Sequence, residues 1–180
     1  MSAPAGTGKS TIAKHLVAGG EFVRAVTATT RRPRGREKDG TDYFFYTRED
    51  FEELIARGDF LEHAEVFGDL YGVPRAATEE MLAKGKNVLL VIDVQGGMTV
   101  KNNFPAAILI FILPPSLDEL EKRIRKRKED DTKTIVKRLQ HAGKELSYKD
   151  KYDYQVVNDN IDRALQEIRA ILKKHIHEGN

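Results

Sequence analysis

Ala3-Pro4-Ala5-Gly6-Thr7-Gly8-Lys9-Ser10-Thr11 is the stretch whose residue types and spacing point most directly to chemistry. It follows the pattern G-x-x-x-x-G-K-[ST], with Ala3 where the first Gly belongs. Small residues let successive backbone N–H groups turn inward and form a concave nest for phosphate oxygens. Lys9 supplies a point charge to β- and γ-phosphates, the Ser10 hydroxyl can ligate Mg²⁺, and a helix starting there aims its positive end at the same place. The plainer alternative is a Gly-rich turn before a helix. Gly6, Gly8, Lys9 and Ser10 in register favour phosphate binding. A strand normally leads into such a loop, and only Met1 and Ser2 precede Ala3. The first core strand is therefore expected to be missing.

Basic residues gather in two further places, Arg31-Arg32-Pro33-Arg34-Gly35-Arg36 and Lys122-Arg123-Ile124-Arg125-Lys126-Arg127-Lys128. Either group could meet nucleic-acid phosphates. Net charge is only +2, however, and no recognised nucleic-acid module or aromatic interleaving accompanies them. Arginines beside a phosphate loop fit a small phosphorylated substrate better. The histidines show no common ligand spacing, and His175-Ile176-His177 reads as a frayed helix end.

The 180 residues suit one domain with a small insertion. With 40% hydrophobic and 32% charged residues the chain reads as a globular protein. No apolar run approaches the ~20 residues of a membrane span, and no signal-peptide pattern precedes the loop. Cysteine is absent, which excludes disulfides, thiolate metal sites and a Cys nucleophile and makes a cytoplasmic location the expectation.

Elements that must position the loop and the arginines follow from periodicity. Ile12, Leu16 and Val17 have helical spacing up to Gly19-Gly20. Phe22–Ala28 reads as a strand. Short strands at Tyr43–Tyr46 and Leu61–Phe67 flank a helix through Phe51, Leu54 and Ile55 that ends near Gly58. Glu79–Leu82 is helical. Val88–Asp93 and Ala107–Leu113 are continuous apolar runs expected as strands buried on both faces of a parallel sheet. Ser116 and Glu119 form a capping box. Lys126–Lys133 is expected to be exposed and mobile, and helical spacing resumes through Ile135, Leu139 and Leu146. Tyr154–Val157 reads as a strand and Ile161–Ile176 as a helix.

Thr27-Ala28-Thr29-Thr30-Arg31-Arg32-Pro33-Arg34, Glu37, Gly40-Thr41-Asp42-Tyr43-Phe44-Phe45, Tyr71-Gly72, Ile92-Asp93-Val94-Gln95-Gly96, Pro114-Pro115-Ser116 and Val157-Asn158-Asp159 occur in one order behind the phosphate loop. Over essentially the whole chain this resembles guanylate kinase. The resemblance implies an α/β P-loop kinase with a parallel central sheet flanked by helices, a small mixed α/β GMP-binding insertion and a helical lid. Residues 1–30 and 76–180 would form the core, 31–75 the insertion and about 124–138 the lid.

Roles follow from the same resemblance. Ala3, Pro4, Ala5, Gly6, Thr7, Gly8, Lys9, Ser10 and Thr11 would hold the phosphates of ATP, and Asn158 would lie against adenine. Arg31 and Arg34 would grip the GMP phosphate, a task suited to the guanidinium fork, with the hydroxyls of Tyr43 and Tyr71. Glu62 would read guanine and Thr27 would contact the base. Asp93, with Ser10, would stand near Mg²⁺ or bound nucleotide. Lys9, Arg123, Arg127 and Arg138 would stabilise the transferring phosphoryl group, whose charge is spread over equatorial oxygens. Packing aromatics for the tyrosines and a solvated strand position for Glu62 are the plainer alternatives. Val73 and Val91 depart from the pattern, standing where a hydroxyl residue and an acid are usual. The expected activity is Mg²⁺-dependent phosphoryl transfer from ATP to GMP and dGMP by a monomer or homodimer, with no nucleic-acid or membrane partner. An inactive guanylate-kinase-like peptide-binding module and a kinase of a phosphorylated sugar are the alternatives.

Overall fold

A computed structural model describes residues 1–126 and 132–176. In chain order the elements are α1 (Lys9–Ala18), β1 (Val23–Arg24), β2 (Ala28–Thr29), β3 (Phe44–Phe45), α2 (Arg48–Ala56), β4 (Phe60–Val66), β5 (Asp69–Pro74), α3 (Arg75–Ala83), β6 (Val88–Leu89), α4 (Val94–Asn103), β7 (Ile110–Leu113), α5 (Leu117–Lys126), α6 (Thr132–Leu146), β8 (Tyr154–Val157) and α7 (Ile161–Ile176). They form a mixed α/β fold with parallel strand pairs, divided into two compact units. One comprises Met1–Ala18 and Ile108–Asn180, the other Gly19–Ala107. The segment 31–75 lies inside the second.

In the first unit β7 and β8 pair in parallel from Ile110↔Tyr154 to Leu113↔Val157. Ser2 adds a parallel bridge to Phe111: its N–H donates to the Ile110 carbonyl at 3.0 Å, and Ile112 N–H donates to the Ser2 carbonyl at 2.8 Å. That bridge fixes the chain just before the loop. Ile110, Phe111 and Ile112 are buried in succession, as a continuous apolar run requires. On α7, Ala164, Leu165, Ile168 and Ile171 form the buried stripe, and the helix packs on α1 and β8. Leu120 and Ile124 of α5 meet Ile135, Leu139 and Ala142 of α6. The cap at α5 is as the sequence predicts, with Glu119 N–H donating to Ser116 Oγ at 3.1 Å.

The second unit holds a parallel β1–β6 pair and a mixed four-stranded sheet of order β3-β2-β5-β4. The predicted strand Phe22–Ala28 is thus split, because its first part pairs with β6 while Ala28 and Thr29 join β3 and β5. β6 is also shorter than Val88–Asp93: it pairs with β1 among the described residues, and Val88 and Leu89 are only half-buried. The sequence reading missed β5 altogether. A hairpin at Phe67-Gly68, with Phe67 in the left-handed region at φ 54, turns β4 back along it. Phe51 of α2 is fully buried and stacks on Phe60 with centroids 4.5 Å apart. Ala28, Leu70, Leu54 and Ile55 complete that cluster. A second cluster joins Ala25, Leu61, Val73, Ile92 and Val100. Lys126–Lys133, expected to be exposed and mobile, lies largely outside the described residues.

Candidate functional site

The loop in the first unit closes on itself before α1 begins. Thr7, fully buried, donates from Oγ1 to the Pro4 carbonyl at 2.7 Å and from its N–H to the same oxygen at 3.2 Å. Gly6 and Gly8 have φ of 90° and 94°, which side-chain-bearing residues adopt only with strain. Ala3 and Pro4 are buried, Lys9 is half-buried, and Ser10 and Thr11 are exposed on the first turn of α1. Such alternation of backbone conformation at a helix start is how a nest of inward N–H groups arises.

Asn158, at the end of β8, braces this loop. Its Nδ2 donates to the Thr7 carbonyl at 2.7 Å, and a Cβ on Gly8 would stand 2.5 Å from that nitrogen. Arg123 reaches the same corner: Nη1 donates to the Asn158 carbonyl at 3.3 Å and Nε to Glu119 at 2.9 Å. These bonds leave guanidinium N–H groups available to another acceptor. Arg138 is half-buried on α6. Arg127 lies outside the described residues.

In the second unit an arginine and two tyrosines converge. Arg31 is buried at 7% exposure, and its Nη2 donates to both oxygens of Glu37, at 3.0 and 2.9 Å. Burial opposes its charge, but the Glu37 carboxylate outweighs that and raises its pKa above the ordinary value. Arg31 Cζ lies 5.3 Å from the centroid of Tyr43, and the Tyr43 and Tyr71 rings meet edge-on at 6.3 Å. Burial raises the Tyr71 phenol, with the nearby Arg31 cation opposing the rise. Arg34 is exposed; its N–H donates to Glu37 Oε2 at 2.8 Å, so one carboxylate fixes both ends of the Arg31–Arg34 segment.

Glu62 lies beyond a register shift in β4, where Phe60, Leu61 and Glu62 are all buried in succession. Only 4% of Glu62 is exposed. Burial, then the neighbouring charge of Asp93, lifts its pKa to about 8. Asp93 caps α4: Oδ1 accepts from Gly96 N–H at 2.9 Å and Oδ2 from Gln95 Nε2 at 3.1 Å. A Cβ on Gly96 would lie 2.2 Å from Glu62 Oε2, so the carboxylate occupies space that any side chain there would take. Thr27 is 4% exposed and its Oγ1 has no hydrogen-bond partner. An orphaned buried hydroxyl is costly, which suits an atom completed by a ligand.

Ala3–Thr11, Asn158 and Arg123 thus meet in the first unit, while Arg31, Tyr43 and Tyr71, and separately Glu62 and Asp93, meet in the second. Ser10 belongs to the first unit and Asp93 to the second. Val73 stands opposite Glu62 in register and is fully buried in the Ala25 cluster, where its methyls pack; Val91 is half-buried. Glu37 and Gly96 were overlooked as site residues. A glycine in the first turn of a helix is unfavourable unless close approach requires it, and Gly96 carried that signal.

The family model described as guanylate kinase matches residues 1–175. A guanylate kinase of Clostridium perfringens (strain SM101 / Type A) is 48% identical over 173 residues, covering 96% of this chain and 80% of that protein. One from Wolbachia pipientis wMel is 48% identical over 176 residues, covering 97% and 88%. The crystal structure of guanylate kinase from Anaplasma phagocytophilum superposes with a TM-score of 0.79 at 40% identity, covering 96% of this chain and 82% of that one. A gluconokinase from Sinorhizobium meliloti 1021, at 14% identity and TM-score 0.52, shares the fold alone. By family-model match, sequence identity and structural likeness, this chain belongs to the guanylate kinase family.

Proposed function

We propose that the chain transfers the γ-phosphoryl group of ATP to GMP, and to dGMP, giving ADP and GDP. The observation that carries the choice of acceptor is Glu62. The two donors of guanine, its N1–H and its exocyclic amine, favour the ionised form of Glu62 on binding, and the carboxylate so formed has two acceptor oxygens to take both. Adenine offers no such pair and would leave the buried carboxyl unpaired. Thr27 Oγ1 supplies a further unsatisfied polar atom for the base.

The donor half is the loop. Its backbone N–H groups and the start of α1 bind the phosphates of ATP, and Lys9 places a cation against the β- and γ-phosphates. Asn158 keeps the loop in its binding conformation through Thr7. Mg²⁺, when bound, neutralises charge on the phosphate oxygens. It commonly takes one or two protein oxygens together with substrate phosphates. The exposed Ser10 hydroxyl suits that role, and the Asp93 carboxylate is the acid that the resemblance assigns to the cation or the bound nucleotide. Among the described residues no three His, Cys, Asp or Glu side chains cluster as a metal site, consistent with a cation held largely by substrate.

The acceptor half is the insertion, residues 31–75. Arg31 and Arg34, with the hydroxyls of Tyr43 and Tyr71, hold the GMP phosphate, and Glu37 orients Arg31 before the acceptor arrives. By the family resemblance Arg123 and Arg138 stabilise the transferring group; Arg127, assigned the same role, lies outside the described residues. Because the acceptor is already a phosphate oxygen, no general base or covalent intermediate is required. Excluding water keeps ATP from hydrolysis. No helix among the described residues is long and apolar enough to cross a membrane; with nucleotide substrates and no cysteine, the cytoplasm is the proposed location.

Lys9, Ser10, Asp93, Arg123 and Arg138 are all present, which disfavours an inactive binding module. Glu62 and both tyrosines disfavour a sugar phosphate as acceptor. The test is an acceptor panel of GMP, dGMP, AMP and ribose phosphates with ATP and Mg²⁺, run alongside Lys9→Ala. GMP and dGMP turn over and the variant does not; equal turnover of AMP or a sugar phosphate contradicts the assignment.

A further inference from the structure

We propose that Arg24 is a positioning residue for the acceptor phosphate, acting by holding Tyr43 and the backbone that carries it. The inference rests on the reading of Tyr43 as a phosphate ligand. Arg24 closes the two-residue strand β1, and no motif singles it out. Its Cζ lies 5.7 Å from the centroid of the Tyr43 ring, to which Arg31 Cζ comes within 5.3 Å. Two guanidiniums, one from β1 and one from the loop after β2, therefore bear on one aromatic ring. Arg24 Nη2 also donates to the carbonyl oxygen of Asp42, the residue before Tyr43, at 3.2 Å. One side chain thus grips both the ring and the backbone of the Asp42-Tyr43 step.

The loop needs such a grip. Lys38–Tyr43 is held from within by Lys38 N–H to Asp42 Oδ2 at 2.9 Å and Gly40 N–H to the Tyr43 carbonyl at 2.8 Å. Phe45 N–H to Asp39 Oδ1 at 2.9 Å ties it to the four-stranded sheet, where Phe44 N–H donates to the Thr27 carbonyl at 3.0 Å. Arg24 adds an anchor from the other sheet, since β1 pairs with β6. A rigid tyrosine is worth most where its hydroxyl must meet a phosphate oxygen without being reordered on binding. Arg24 Nε is buried without a hydrogen-bond partner. An apolar side chain would fill that space without stranding a donor, so packing alone does not account for a guanidinium there. The contacts to Tyr43 and Asp42 do account for it.

The experiment compares Arg24→Met, Tyr43→Phe and the double variant of the full chain. Methionine keeps the hydrocarbon volume, and thermal melts verify folding. The expected result for Arg24→Met is a rise of about tenfold in KM for GMP with KM for ATP unchanged. Arg24→Lys, which keeps a cation over the ring, recovers part of that loss. In the Tyr43→Phe background Arg24→Met adds less than about twofold, because the hydroxyl it positions is gone. An unchanged KM for GMP in Arg24→Met, or the full rise repeated in the Tyr43→Phe background, overturns the proposal. A Tyr43→Phe enzyme with the parent KM for GMP overturns the reading of Tyr43 itself. An impaired Tyr43→Phe with a normal Arg24→Met removes only the role of Arg24. Should Arg24→Met fail to fold, the same comparison is read with Arg24→Lys against Tyr43→Phe, where a change in KM for GMP confined to the Tyr43 background of the parent supports coupling and its absence refutes it.

Discussion

Glu62→Gln separates the cost of the acceptor site from its use. In the folded chain the Glu62 carboxyl, 4% exposed, is raised from 4.5 to about 8 by burial and by Asp93. Its folded form therefore keeps a proton that the unfolded chain has released, and stability falls as pH rises across that window. The penalty is absent below the unfolded value and complete above about 8, where it corresponds to at most about 5 kcal/mol. Glutamine has nearly the same shape and does not ionise. Glu62→Gln should melt with the parent at about pH 4.5 and progressively higher above it, by roughly 2–4 °C per kcal/mol of difference. Binding moves the opposite way. The amide keeps one acceptor but turns a donor toward the guanine amine, and losing a charge-assisted pair raises KM for GMP on the order of 10²-fold while discrimination against AMP erodes. The assays are thermal melts at about pH 5, 6.5 and 8.5 and steady-state kinetics with both acceptors. A variant less stable than the parent at the alkaline end, or a gap that does not change with pH, would refute the electrostatic argument. Retained selectivity would refute the assignment of Glu62 to the base.

Gly96→Ala puts a Cβ where Glu62 Oε2 lies, 2.2 Å away, so the carboxylate must withdraw by roughly 1 Å. KM for GMP should rise on the order of 10²-fold with little change in melting temperature, because alanine favours the helix and the displaced group is the far end of a side chain. Gly8→Ala forces a side chain onto φ 94° and to 2.5 Å from Asn158 Nδ2. It should cost about 1–2 kcal/mol in chemical denaturation and raise KM for ATP, while equilibrium GMP binding is unchanged. Phe51→Ala removes a fully buried ring stacked on Phe60 and should cost about 3–5 kcal/mol by denaturant titration, and a loss under 1 kcal/mol would contradict the packing described.

Chemistry at the loop was legible because it depends on residue types in a fixed order. Long periodic helices were also legible: α7 spans Ile161–Ile176 as the apolar spacing predicts. Several short strands were legible too: β8 spans Tyr154–Val157 as expected, and β4 spans Phe60–Val66 against the expected Leu61–Phe67. The break between β1 and β2, and β5, were not. Val23–Thr29 is one β-rich run, yet it serves two sheets, and nothing local marks where it leaves one for the other. β5 was hidden because Phe67 occupies a left-handed turn position usually taken by glycine or asparagine. The braces of the site were the least legible. Glu37, Asn158 and Arg24 act through side-chain contacts that no motif announces, and pairings such as Asn158 with Thr7 join residues far apart in the chain.

The most direct test of the account is to follow label from the γ-position of ATP in the presence of GMP and Mg²⁺. Label should appear in GDP, one for each ADP formed, and depend on both Lys9 and Glu62. A folded chain that leaves GMP unlabelled, or releases the label only as inorganic phosphate, would contradict it.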